Sequence, residues 1–274
     1  MADLPTLLQA RYGAATETNA VGAVNPTLST ILSHKSVREF LPTPLPTGTL
    51  EILIAAGQSA ATSSNLQTWS AVAVQDAQTK DKAATLCANQ AFIRQAPLFF
   101  VFCADLSRLT MVSRQEQEAA RGLEYTEMFL MASLDTALAA QNVAVAAESL
   151  GLGICYVGGA RNNPSELAQL LGLPERVIAL FGMAIGRPDP KRTAAVKPRL
   201  PRGEVLHLER WSDDGQQEHI DAYDETLAIF NTQQLRTDAP RWTQRSARRV
   251  ATEKALTGRH ILRQVLSERG FRLL

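Results

Sequence analysis

The sequence predicts a mixed helix-and-strand fold with at least four strands, and three observations carry that expectation. Four short segments rich in β-branched and aromatic residues lie between turn formers. Helical stretches separate them, and the longest periodic run is apolar around most of its circumference. The chain shows no internal repeat, no low-complexity block and no obvious interdomain linker.

In chain order, residues 1–26 are small, polar and poorly periodic, which predicts a peripheral helix or a partly ordered extension. Helices are expected over 28–34 and, after the proline-rich turn "LPTPLPTGT", over 47–60. Strands are expected at "WSAVAVQ" (69–75), "PLFFVFCA" (97–104), "CYVG" (155–158) and "VIALFGMAIG" (177–186). The long run "RGLEYTEMFLMASLDTALAAQNVAVAAESLGLG" stops at Gly151 and predicts a helix of about 28 residues, about 42 Å long. Burial on most of its faces points to cover by a dimer partner, with a central core helix of a monomer as the alternative. Glu124, Glu127, Asp135 and Glu148 speak against a membrane span there, and no apolar run is expected to cross a bilayer.

With 274 residues, 45% of them hydrophobic and 20% charged, the chain can bury one large core or two small ones. Cys87, Cys103 and Cys155 form no CxxC pair, which argues against a disulfide scaffold or a zinc site and for reduced thiols in a cytoplasmic protein. No secretory leader is recognisable at the N-terminus. The net charge of +1 is uneven: from Arg236 onward 10 basic residues face 3 acidic ones, so the tail carries +7 and the remainder −6. Such a tail suits nucleic acid, a phosphate-bearing ligand or an acidic partner subunit. Nucleic acid fits worst, because Trp242 and Phe271 are not interleaved with the charges as stacking platforms.

Four polar clusters are candidates for chemistry. In "HKSVREF" an extended backbone would turn His34, Ser36 and Arg38 to one face, suiting an anion or a polar ring edge. In "TSSNLQ" Ser63, Asn65 and Gln67 again alternate and could read a heterocycle edge. "YVGGARNN" places Gly158 and Gly159 after a strand, where backbone N–H groups can approach a flat ligand. "VKPRLPR" sets Lys197 and Arg199 around a stiffening proline, as a phosphate clamp would. Each cluster alone would equally describe a solvated segment or a self-capped turn. Sharper motifs are absent: the glycine spacing at 151, 153 and 158 fails the dinucleotide fingerprint, and no phosphate-binding P-loop, nucleophile elbow or paired metal histidines occur.

Taken in order, "HKSVREF", "TSSNLQ", "NQAFIRQAP", "FFVFCAD", "QNVAVAAESLGLGICYVGGARNN", "LFGMAIGRPD" and "VKPRLP" resemble the oxygen-insensitive NADPH-dependent nitroreductases and NADPH:flavin oxidoreductases. The resemblance runs from about residue 28 to 235, and less closely on to "GRHILRQVLSERGF". It implies an α+β nitroreductase-like fold, with a central mixed, mainly antiparallel sheet flanked by helices. It also implies an intertwined homodimer with bound FMN, comprising an N-terminal extension (1–26), an FMN-binding domain (27–235) and a basic C-terminal arm (236–274) on the partner. His34, Lys35 and Ser36 would hold the FMN phosphate end together with Lys197 and Arg199, and Arg38 would sit at the pyrimidine side of the ring. Ser63, Ser64, Leu66, Gly158 and Gly159 would approach the ring, and Gln90 would bond ribityl or ring heteroatoms. NADPH would deliver hydride and leave before a small, flat acceptor such as a nitroaromatic or quinone takes two electrons, so no protein nucleophile is needed. Arg259 and Arg236 are candidates for the NADPH 2′-phosphate, and Asn65 for the substrate side. Lys35 stands where arginine is usual in the family and Asn65 where an aromatic is common. The alternatives within this resemblance are a dedicated NADPH:FMN reductase supplying a monooxygenase, and a flavin-binding protein without turnover.

Overall fold

The computed structural model describes residues 3–13, 24–192 and 194–274. Of the expected extension, residues 1, 2 and 14–23 lie outside the described residues. The chain divides into two compact units: a first, Met1–Lys35 with Ala194–Leu256, and a second, Ser36–Thr193 with Thr257–Leu274. Its elements begin with α1 (Leu4–Tyr12), α2 (Pro26–Leu32), α3 (Thr49–Gln58), β1 (Trp69–Val74), α4 (Ala77–Leu86), α5 (Ala91–Gln95) and β2 (Leu98–Asp105). They continue with α6 (Ser107–Gln115), α7 (Thr126–Ser149), β3 (Gly153–Val157), α8 (Pro164–Leu170), β4 (Val177–Gly186), α9 (Gln216–Gln233), α10 (Trp242–Val250) and α11 (Leu262–Glu268).

The second unit is built on a sheet of order β1-β2-β4-β3 in which every neighbouring pair is antiparallel. The run LFFVFCAD explains why β2 is central: it is apolar on both faces, and all eight of its residues are buried. Beyond the edge strand β3, Ser36 adds a single parallel bridge to Ile154, so the expected mainly antiparallel sheet is what forms. Val143, Ala144 and Ala147 of α7 pack with Leu53 of α3 on Phe100, Phe102, Ile154 and Met183, the small side chains allowing close approach. Each fully buried phenylalanine contributes about 2 kcal/mol through removal from water. A separate cluster joins Ala104 and Ile178 of the sheet to Val265 and Leu266 of α11 and to Phe271.

The long helix is shorter than its periodicity predicts, with 24 residues. Tyr125 is extended (φ −88°, ψ 151°), which isolates Arg121–Glu124 as a separate 3-10 turn. Its far end follows the expectation, with Gly151 left-handed at φ 74° just past the last turn. By length and composition α7 is apolar enough to cross a membrane, contrary to the expectation that no run is. Its packing on β2 and α3 makes it a core helix of the second unit.

In the first unit, α1 and α2 start on side-chain caps, Asp3 accepting from the Thr6 N–H and Asn25 from the Leu28 N–H, both at 2.9 Å. Tyr223 and Leu227 of α9 are buried, and Trp242 of α10 meets the Tyr223 ring edge-on at 5.6 Å.

Candidate functional site

In the second unit the candidate residues gather around β3. The Val37 N–H donates to the Ile154 carbonyl at 2.8 Å and its side chain is buried. Ser36 and Arg38 on either side of it are exposed, but Glu39 is exposed and Phe40 buried, so the expected two-residue alternation does not continue past Arg38. Burial pushes the Cys155 thiol up, and the charge of Arg38 opposes that shift.

At the other end of β3, Gly158 and Gly159 open a 3-10 turn. A Cβ on Gly159 would stand 2.6 Å from the Cys87 carbonyl oxygen and 3.2 Å from Gln90 Nε2, so only glycine fits. Gln90 donates to that same carbonyl at 2.8 Å, and the residues before it, Ala88 and Asn89, are left-handed at φ 69° and 52°. The Arg259 guanidinium nitrogens lie 3.8 Å from where a Gly158 Cβ would be, and its Nε–H donates to Asn162 Oδ1 at 2.9 Å. Ser36, bridged to Ile154, thus lies toward the start of β3, and Gly158, Gly159, Gln90 and Arg259 gather at its far end.

The loop "TSSNLQ" does not alternate as expected. Ser63–Asn65 form a 3-10 turn, and Ser64, Asn65 and Gln67 are left-handed at φ 49°, 56° and 52°. Three strained non-glycine residues in one short loop need an external hold. Asp135 of α7 supplies it: its buried carboxylate accepts from the Ser63 N–H (3.0 Å), the Thr68 N–H (3.1 Å) and the Thr68 hydroxyl (2.8 Å). Sequence reasoning used Asp135 only against a membrane span, although a carboxylate on a buried helix face must find donors. Asn65, Leu66, Trp69 and Arg108 line a groove of about 520 Å³.

In the first unit, His34 and Lys35 follow α2, the His34 N–H donating to the Ile31 carbonyl at 3.3 Å. Arg199 is exposed, and its guanidinium donates to the carbonyls of Lys197 (3.2 Å) and Pro198 (3.3 Å). Arg11 of α1, which the sequence did not single out, donates to the carbonyls of Lys197 (3.0 Å), Leu32 (3.0 Å) and His34 (3.3 Å). It thereby brings the His34 and Lys197 segments together. Lys197 also lines a cavity of about 520 Å³ with Tyr223, Trp242, Arg245 and Arg249. Arg236 stands exposed after α9, its N–H donating to the Asn231 carbonyl at 2.8 Å.

Burial pushes the Cys87 and Cys103 thiols up to about 12, so neither is a nucleophile near neutral pH. Among the described residues, no group of three His, Cys, Asp or Glu could hold a metal ion.

Comparison with known proteins gives this arrangement a family. The model of the nitroreductase family matches residues 31–187, and that of the nitroreductase family C-terminal domain matches 197–274. The chain is 39% identical over 210 residues to the FMN reductase (NADPH) of Bacillus subtilis, covering 76% of this chain and 84% of that one. It is 36% identical over 235 residues to the NADPH-flavin oxidoreductase of Vibrio harveyi (84% and 93%). Over 240 residues it is 36% identical to the Cr(VI) reductase of Pseudomonas sp. (87% and 96%). Among solved structures, B. megaterium NfrA1 superposes with a TM-score of 0.85 at 36% identity, covering 90% of this chain and 100% of that one. The Vibrio harveyi NADPH:FMN oxidoreductase complexed with NAD+ does so with a TM-score of 0.80 at 35% identity (90% and 99%). Since the two family models leave out only residues 1–30 and 188–196, and the sheet and loops take the form described above, the chain belongs to the nitroreductase family.

Proposed function

We propose that this protein is an FMN-dependent oxidoreductase that uses NADPH to reduce small, flat acceptors by two electrons, with nitroaromatics, quinones, chromate and free flavin as candidate acceptors. The observation that carries the reading is the β3 arrangement: Ser36, two residues before the exposed Arg38, is bridged to the start of an edge strand, and two glycines, an amide and a guanidinium crowd its far end. An elongated, flat anion with a ring edge to read fits those donors. FMN, when bound, accepts a hydride from NADPH and returns both electrons to the acceptor in a second half-reaction.

The chain's own residues supply position and charge. Arg38 brings a fixed positive charge to the pyrimidine edge, where negative charge develops on reduction. Ser36, with His34, Lys35, Lys197 and Arg199, holds the phosphate end. The loop from Ser63 to Leu66 and the Gly158–Gly159 pair offer backbone N–H groups to the ring, and Gln90 offers its amide. Arg259, fixed by Asn162, takes the NADPH 2′-phosphate, with Arg236 as a second candidate. Asn65, on the 520 Å³ groove beside Trp69, tunes which acceptor stacks.

The active form in this reading is a cytoplasmic homodimer; the last part of the expected arm (236–274) instead packs on its own unit, with Val265, Leu266 and Phe271 buried against Ala104 and Ile178. Leu130, Leu134 and Leu138 support the dimer: they recur every four residues on α7 and are 51%, 55% and 49% exposed, an apolar stripe that a second copy would cover.

The test is a visible spectrum of the purified protein followed by anaerobic addition of NADPH and, separately, NADH. Flavin bands that bleach faster with NADPH are the expected result. Bound flavin that neither nucleotide bleaches would leave a flavin-binding protein without turnover, and a protein that stays colourless when supplied with FMN would end the reading.

A further inference from the structure

Arg11 lies outside the residues matched by either family model. Its helix is nevertheless firmly seated within the first unit. Leu7 is buried, and the Gly13 N–H closes the helix on the Gln9 carbonyl at 2.8 Å with φ 76°. A Cβ at Gly13 would stand 2.3 Å from Thr226 Cγ2, so the end of α1 lies directly against α9. From that seat the half-buried guanidinium uses its two terminal nitrogens on different segments. Nη1 donates to the Lys197 carbonyl at 3.0 Å, while Nη2 donates to the carbonyls of Leu32 at 3.0 Å and His34 at 3.3 Å. The Arg199 N–H returns a bond to the Arg11 carbonyl at 2.8 Å.

We propose that Arg11 is a positioning residue for the phosphate end of the cofactor site. Through its planar fork it holds the His34 and Lys197–Arg199 segments at a fixed spacing. The inference rests on the flavoprotein reading above and deepens it, because those two segments carry the cations assigned to the FMN phosphate. Charge-assisted bonds from one rigid guanidinium couple two segments more than 160 residues apart, since Arg11 is 23 residues from His34 and 186 from Lys197. A lysine ammonium, as a point donor on a flexible stem, cannot reproduce that fork. The N-terminal segment is then part of the cofactor site without touching the cofactor. An arginine that merely favours the C-terminal end of its own helix would stabilise α1 and leave ligand selectivity unchanged.

The experiment compares FMN with riboflavin, which has the same ring and no phosphate, by fluorescence titration of the full-length protein freed of flavin. Arg11→Ala is expected to weaken FMN binding about tenfold, the equivalent of roughly 1.4 kcal/mol, and riboflavin binding less than about twofold. Arg11→Lys, which keeps the charge and most of the packing, guards against misfolding of the alanine variant. It is expected to lose about threefold in FMN affinity with the same selectivity. Equal losses for the two flavins would mean general loosening and overturn the proposal, as would unchanged FMN affinity in both variants. Unsubstituted protein that binds neither flavin would overturn the flavoprotein reading and, with it, this inference.

Discussion

Two aspartates of the second unit show how single residues set up the site. Asp135 accepts three hydrogen bonds from the 63–68 loop and is buried, so its carboxylate is exchanged for nothing in water. In Asp135→Asn an amide N–H₂ faces donors that need acceptors, and the loss is expected to be about 3 kcal/mol. A lower denaturation midpoint at unchanged m-value would register it. Asp105, at the end of β2, is pushed up by burial. The Ser107 hydroxyl, the Ser70 hydroxyl and Arg108 outweigh that, holding the carboxyl below its ordinary 3.8. Because the folded value is the lower one, the ionised group stabilises the fold above pH 3.8, and this contribution is lost as pH falls through the folded value. Asp105→Asn is therefore expected to destabilise the protein at pH 7 and to narrow its gap from the parent at pH 3, as unfolding curves at the two pH values would show.

The elements that present the candidate site are loops with unusual backbones. Ser64, Asn65 and Gln67 on one loop, and Ala88 and Asn89 on another, sit in the left-handed region at a cost of about 1 kcal/mol or more each. They persist because neighbours hold them: Asp135 the first loop, and the contact of Gly159 with Cys87 and Gln90 the second. Gly159→Ala would force a Cβ to within 2.6 Å of a backbone oxygen. The expected result is about 1–3 kcal/mol of destabilisation from overpacking, with Gln90 displaced and less flavin retained. A melting curve and the ratio of flavin to protein absorbance check the two parts separately. The strands and the long helix were legible from period and residue type. The loop geometry was not: "TSSNLQ" reads as alternating in sequence and folds as a 3-10 turn because Asp135 pulls both Ser63 and Thr68 inward.

For the molecule as a whole, α7 has two contrasting sides. One carries small residues into the core of its own unit, and the other leaves Leu130, Leu134 and Leu138 half exposed. A membrane would suit the length and composition of this helix, but its packing on β2 assigns the apolar content to a core. Leu134→Glu, which puts a charge in the middle of the exposed stripe, is expected to shift the species seen in sedimentation from twice 29.8 kDa to 29.8 kDa. A parent protein that already sediments as a single chain would sink the homodimer, and an unshifted variant would place the interface elsewhere.

By itself the sequence determined the four strands, the long apolar helix, and the ordered motifs that carry the family resemblance. These depend on local period and on residues close together in the chain, which a linear reading can follow. Only the tertiary structure decided that Asp135 anchors a loop 67 to 72 residues upstream, that Gly159 is wedged against Cys87, and that Arg11 bridges to Lys197 across 186 residues. Each of those roles is a pairing of polar or backbone groups brought together by burial. The sequence shows that such a group needs a partner, and the fold alone shows which one it finds.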